Sequence, residues 1–188
     1  TTGNWNGTVP VVTYHVTDDN GSTTTSTLAL TVTAVNDAPS VTAPSSFALT
    51  EDVAGNLTYT GTPFADVDSA TLTVTLSVSE GTVTGNAGTG ITVAGTATAR
   101  TFAGTVAALN TYFTTAGSIT YQGLLNNTTS RTLTTAVSDG ALSASTTSTI
   151  NFTAVNDAPS FTLPAGTTVA AGATWTGRES SLNWVSIA

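Results

Sequence analysis

The acidic residues of this chain gather in a few short loops. Asp66 and Asp68 share one loop as Asp-Val-Asp, Asp139 sits in Ser-Asp-Gly, and Asn36-Asp37 returns as Asn156-Asp157. Glu51, in Leu-Thr-Glu-Asp-Val, adds a further carboxylate. Hard oxygens supplied from several loops are what Ca²⁺ takes, six to eight of them at about 2.3–2.6 Å. Carboxylates crowded together without a cation repel one another, which favours the metal for Asp66 with Asp68. Turn chemistry competes with it. Asp-Gly, Asn-Gly and Asn-Asp pairs tolerate left-handed backbone and bond their own main chain. Both accounts stay open for Asp139 and for the two Asn-Asp pairs, and turn chemistry is the simpler account of Asp18 and Asp19.

Catalysis finds little footing in these residues. His15 is the only histidine and falls in an alternating strand pattern, and a Ser-His-Asp arrangement has no assignable serine and carboxylate beside it. Glu51/Asp52 and Asp66/Asp68 are sequence neighbours, which rarely oppose each other across a sugar. The chain has no cysteine and no lysine, so thiol chemistry, Cys-based zinc sites and Lys–Asn crosslinks are ruled out. Trp5, Trp175 and Trp184 could stack on a glycan, although tryptophan more often fills core or edge positions. The sequon Asn56-Leu-Thr58 is expected by chance in so threonine-rich a chain.

These loops need a scaffold, and the sequence points to strands. Val12, Tyr14 and Val16 alternate with polar residues, the turn Asp18-Asp19-Asn20-Gly21 follows, and Leu28, Leu30 and Val32 alternate again. Alternation on both sides of Asn-Gly is a strong hairpin signal. Leu133 to Val137, Ser-Asp139-Gly140, and Ser148 to Val155 repeat the layout. Both hairpins run into one octapeptide, Thr33 to Ser40 and Thr153 to Ser160, identical at an offset of 120 (153 − 33). A fixed repeat in a chain of 188 residues marks tandem duplication. Three segments follow: residues 1–35 as the last strands of a preceding sandwich, 36–155 as a complete one, and 156–188 as the start of another module. The chain thus reads as a piece of a longer protein.

Within 36–155 the pattern predicts strands near 39–43, 47–50, 57–60, 71–78, 81–84, 91–94, 98–103, 118–121, 131–137 and 146–155. Val106 to Phe113, apolar at helical spacing, predicts the one short helix. The expected class is all-β, a Greek-key sandwich of immunoglobulin or cadherin type in tandem. In such a sandwich the B–C and F–G loops meet at one end. With 57–60 as B and 71–78 as C, Asp66, Asp68 and Asp139 converge there, joined by Asn36 and Asp37.

Composition narrows the partners. Net charge is −8, with only Arg100, Arg131 and Arg178 positive. Nucleic acid and anionic membranes need basic patches, so the balance excludes them and favours cations. Only 7% of residues are charged, so Thr, Ser, Asn and Gly must carry solubility, and threonine favours strands. No apolar run reaches membrane-spanning length, so membrane insertion is not expected.

The order of strand, Ser-Asp-Gly turn, strand, Ala-Val-Asn-Asp-Ala-Pro, then Leu49-Thr-Glu51-Asp52-Val53 and Ala65-Asp-Val-Asp68 resembles the bacterial cadherin-like repeats of large RTX-type and VCBS-type surface adhesins. The resemblance covers roughly residues 8–162. It implies a non-catalytic spacer repeat, extracellular or at the cell surface, with Ca²⁺ at the joints and neighbouring repeats as partners. It also implies that Glu51 faces the outgoing joint with Asn156 and Asp157. The chain departs from the pattern after Asp68, where Ser69-Ala70 stand in place of a further acid. The segment Trp175 to Trp184 resembles the opening of bacterial propeller-type repeats. Two other functions stay open: a subunit of an extracellular filament or surface layer, built by strand complementation between identical chains, and a glycan-binding module.

Overall fold

The computed structural model describes residues 4–158 and, at the level of backbone, 176–178 and 184–186. The chain divides into two compact units, Thr1–Val155 and Asn156–Ala188. The seam falls inside the second octapeptide, whereas residues 1–35 are grouped with the sandwich that follows them. In the second unit, two three-residue strands, Thr176–Arg178 and Trp184–Ser186, pair antiparallel. Trp175 and the remainder of the propeller-like segment lie outside the described residues.

The first unit opens with a hairpin. β1 (Gly7–Thr8) and β2 (Val12–Thr17) form one arm, and β3 (Thr23–Leu28) and β4 (Thr31–Val32) form the other. The turn is longer than an Asn-Gly pair would make it. Thr17 faces Thr23, and Asp18 Oδ1 collects the N–H groups of Asn20 and Ser22. Gly21 supplies the positive φ, +83°, that this loop needs.

The sandwich proper begins at β5 (Ser40–Val41) and β6 (Ser46–Thr50), followed by β7 (Gly55–Asn56) and β8 (Phe64–Ala65). β9 (Thr71–Ser77), β10 (Thr82–Gly85), β11 (Ile91–Gly95) and β12 (Ala99–Thr105) come next. The helix α1 (Val106–Thr114) precedes β13 (Ile119–Gln122), β14 (Arg131–Ser138) and β15 (Ser143–Thr153). One sheet runs β11-β12-β9-β14-β15-β6 and a second runs β10-β13-β7, with β5 and β8 as a separate pair. All pairs in the large sheet are antiparallel except β15 with β6. The all-β, sandwich-like class expected from the alternation is thus observed, with one short helix among the described residues.

The element at 57–60 differs from expectation. The strand there is only Gly55–Asn56, yet Leu57 N and Tyr59 N still donate to Ile119 O and Phe113 O. Tyr59 must leave the ladder because its partner carbonyl belongs to the end of α1. The helix starts at Thr105, whose hydroxyl accepts from Ala108 N as an N-cap. It turns Leu109, Tyr112 and Phe113 into the core. Phe113 is the hub there, with edge-on contacts to Phe64 (4.8 Å), Tyr59 (5.1 Å) and Phe102 (5.2 Å). Val74, Leu76, Leu133, Val137 and Ile150 supply the large sheet's share of the core. The Tyr59 hydroxyl meets Thr135 Oγ1 at 2.6 Å, satisfying two polar groups at the centre of the layer, and burial pushes the phenol up to about 12.

Candidate metal centre

The loop between β8 and β9 is built on Asp66. Its Oδ1 accepts from Ser69 N at 2.8 Å and Asp68 N at 3.0 Å, closing an Asx turn that hands the chain to β9. The Ser69 N–H, followed by that of Asp68, holds the Asp66 carboxyl below the usual carboxylate range, against the opposing charge of Asp139. The residue is half-buried, but its second oxygen, Oδ2, is shut off from solvent. That atom has no hydrogen-bond partner among the described residues. A buried carboxylate oxygen without a protein donor is uncommon in folded proteins. A cation, or a proton shared with the neighbouring Asp68 carboxyl, would satisfy it.

Asp68 faces the incoming joint. Its Oδ2 accepts from Asp37 N at 3.0 Å. That bond pulls the carboxyl down, but the hydrogen-bonded Asp66 side chain, partial desolvation and the charges of Asp66 and Asp37 outweigh it. The net shift is upward. The two carboxylates of one loop are thus pushed in opposite directions, as expected when neighbouring acids share a site.

Asp139 closes the group. Its Oδ1 caps the β14–β15 turn through Ala141 N (2.6 Å) and Leu142 N (2.7 Å), while Oδ2 accepts from Asn36 Nδ2 at 2.8 Å. The Asn36 contact, then the Leu142 and Ala141 N–H groups, hold its carboxyl below the usual range. Asn36 Nδ2 also reaches the Asp37 carbonyl at 3.2 Å. Asn36, Asp37, Asp66, Asp68 and Asp139 therefore meet at one end of the sandwich. Turn chemistry and convergence coexist here: at Asp66 and Asp139 Oδ1 serves the turn, while Asp139 Oδ2 takes the Asn36 NH₂. A groove of about 470 Å³ opens beside it, lined by Trp5, Val32, Val35, Asp37 and Asp68 among others.

The donor types, carboxylate and amide oxygens without sulfur or imidazole, suit a hard divalent cation, but no three of these carboxylates bring ligand oxygens within 4.8 Å of one another. Asn36 directs its NH₂ at Asp139; as a ligand it would turn its Oδ1 inward.

Glu51 lies at the opposite end of β6. It is buried, its N–H donates to Thr153 O (3.1 Å), and its Oε1 accepts from Val155 N (2.8 Å), so it ties down the last residues of the unit. Asn156 and Asp157 belong to the second unit. There Asn156 Nδ2 donates to the Asp157 carbonyl at 3.4 Å, the same contact that Asn36 makes with Asp37. Asp52, weighed in the sequence only as a partner of Glu51, has φ +64° and holds the 124–129 loop through Asn126 N at 2.7 Å. Sequence reasoning missed the buried Arg131 and its ion pair with Glu80, whose carbonyl accepts from the Tyr121 hydroxyl. Only the rarity of charge in the chain hinted at that pair. His15 lies on an exposed strand face, with Nδ1 bonded to Thr25 Oγ1 at 2.9 Å.

No family model matches this chain, and no curated protein sequence does. Among solved structures it is similar to an endo-fucoidan hydrolase of glycoside hydrolase family 107, at 17% identity and a TM-score of 0.34. The match covers 88% of this chain and 20% of that one. Among the described residues no helix is long and apolar enough to cross a membrane.

Proposed function

We propose that this chain is a non-catalytic spacer segment of a large extracellular or cell-surface protein, made of sandwich repeats whose joints are stiffened by Ca²⁺. One observation carries the proposal: the joint residues Asn36 and Asp37 are bonded directly to Asp139 and Asp68, beside a sealed, unpartnered Asp66 oxygen. Asp37, Asp66, Asp68 and Asp139 would hold the cation, with Asn36 as an amide ligand. When bound, the ion would supply the positive charge that these carboxylates lack. The residues themselves fix the joint's direction. Asp37 N on Asp68 and Asn36 on Asp139 pin the linker to two loops, and Pro39 is buried just beyond. With no further acid after Asp68, the affinity expected on this reading is that of weak extracellular sites, about 10⁻⁴–10⁻³ M.

Melting temperature and solution length, measured in millimolar Ca²⁺ and then in chelator, test the reading. Both should fall on chelation, and a protein indifferent in both would have no metal-stiffened joint.

A further inference from the structure

The N-terminal hairpin is two-faced. Thr13, His15 and Thr17 point to one side with Thr27, Thr25 and Thr23 opposite them; Val12, Tyr14 and Val16 point to the other, opposite Leu28, Ser26 and Thr24, so this face is the more apolar of the two. Leu30 continues that apolar row. An antiparallel sheet with one polar and one apolar face ordinarily has the apolar face on a core. Here both faces are exposed, and among the described residues both outer edges of the hairpin are unpaired.

The chain holds a second copy of this hairpin with its cover in place. Aligning the shared octapeptides sets Leu28 and Leu30 on Ser148 and Ile150 of β15. Cross-strand pairing then carries the match to the other arm. Val12 faces Leu28 as Leu133 faces Ser148, so Val12, Tyr14 and Val16 correspond to Leu133, Thr135 and Val137. The turns agree as well. Asp18 Oδ1 takes Asn20 N and Ser22 N, just as Asp139 Oδ1 takes Ala141 N and Leu142 N, with the earlier loop one residue longer. What differs is the cover. Val12 and Val16 are 45% and 58% exposed, whereas Leu133 and Val137 are at 0%. In the copy, β9 lies antiparallel along β14, β6 lies parallel along β15, and the opposite layer closes over the face.

We infer that the apolar face of residues 11–32 is a docking surface for the body of a sandwich repeat of this same kind, one lying N-terminal to it in the polypeptide. The body supplies a β9-like strand antiparallel along the free edge of β2. It also supplies a β6-like strand parallel along the free edge of β3–β4. The surface is specific in shape: where β14–β15 carries Thr135 and Ser148, this hairpin carries Tyr14 and Leu28. Its own body must therefore have smaller side chains at those two places than residues 36–130 do, where Tyr59 fills the space over Thr135. The inference rests on the repeat reading but not on the metal.

Hydrogen exchange in chelator tests it, so a failure of the cation reading leaves the result untouched. Two proteins are compared: the 188-residue chain, and the same chain with residues 36–130 fused ahead of Pro10. In a matched version of the fusion, Pro10→Arg restores the partner of Glu80, and Tyr14→Thr and Leu28→Ser restore the side-chain sizes of β14–β15. Amides of β2 and β3 should exchange rapidly in the 188-residue chain and slow by about 100-fold or more in the matched fusion. They should slow less in the unmatched fusion. Amides that exchange equally fast in the matched fusion, with β9 of both bodies protected, would overturn the inference. So would a 188-residue chain whose hairpin is already protected in a concentration-dependent dimer, since a second copy would then be the occupant.

Discussion

Asn36 and Asp139 stand 103 positions apart, and Asn36 Nδ2 donates to Asp139 Oδ2 at 2.8 Å. The bond fastens the entry of the sandwich to the turn between its last two strands. A joint residue is thereby committed to a specific loop before any ion is considered. Four predictions extend from this end of the molecule into the core.

Site variants should separate the metal from the fold. With a dissociation constant of about 10⁻⁴–10⁻³ M, 10 mM Ca²⁺ stabilises by about 1.4–2.7 kcal/mol. For a chain of this size that raises Tm by about 3–11 °C. Asp66→Asn and Asp68→Asn should each abolish most of that rise while leaving the strand signal in circular dichroism intact. A full Ca²⁺ response in both variants would remove the site from this loop.

The pH dependence follows from the opposed carboxyls. Asp66 and Asp139 have lowered values, so the stability they contribute is present at neutral pH and lost as pH falls through those values. Asp68 has a raised value, so its contribution is a penalty at neutral pH that is relieved as pH falls through it. In chelator, melting temperature should hold or rise slightly as pH first drops towards the carboxylate range, then fall steeply. Asp68→Asn should remove the first phase and raise the neutral-pH Tm. Melting curves from pH 7 to pH 2 read both effects.

The Tyr59–Thr135 bond is open to a double-mutant cycle. Tyr59→Phe leaves the Thr135 hydroxyl buried without its partner and should cost about 1–3 kcal/mol in urea unfolding. Adding Thr135→Val should recover much of it, because both polar atoms are then gone. Strict additivity of the two changes would mean that the bond contributes nothing.

Glu51→Ala should loosen the exit of the sandwich. Val155 N loses its acceptor, and because Val155 is exposed the loss is that of one ordinary hydrogen bond, about 0.5–1.5 kcal/mol. Exchange at Val155, just past the end of β15, should accelerate more than exchange at Ile150 within the strand. Equal protection at Val155 in wild type and variant would show that Glu51 does not hold the strand end.

Much of this was legible in the sequence because it is written in local rules. Strict alternation at Leu72-Val74-Leu76 and Leu133-Val137 declares one buried face whatever the partner, and the spacing of Val106, Leu109, Tyr112 and Phe113 declares a helix. Asp66-Val-Asp68 and the repeated Asn-Asp joint are chemically conspicuous in a chain where few residues are charged. Other features depend on contacts between distant segments. Tyr59 reads as a strand residue, but the end of α1 offers the carbonyl that its N–H takes, and no local pattern contains that information. Arg131 is only one of three cations in the sequence until Glu80, Thr129 and Ser130 gather around it.

By itself, then, the sequence determined the class of fold and the strand periodicity, and it put acids in a few short loops, since each depends on residue type and near-neighbour spacing. Only the tertiary structure decided how those acids are used. Within its own loop each Oδ1 of Asp66 and Asp139 closes a turn, and packing two sheets and a linker around one end decides the other oxygen. It bonds Asp139 Oδ2 to the joint and seals Asp66 Oδ2 from water. Burial and long-range geometry set that division, and they exist only once segments about a hundred residues apart have been brought together.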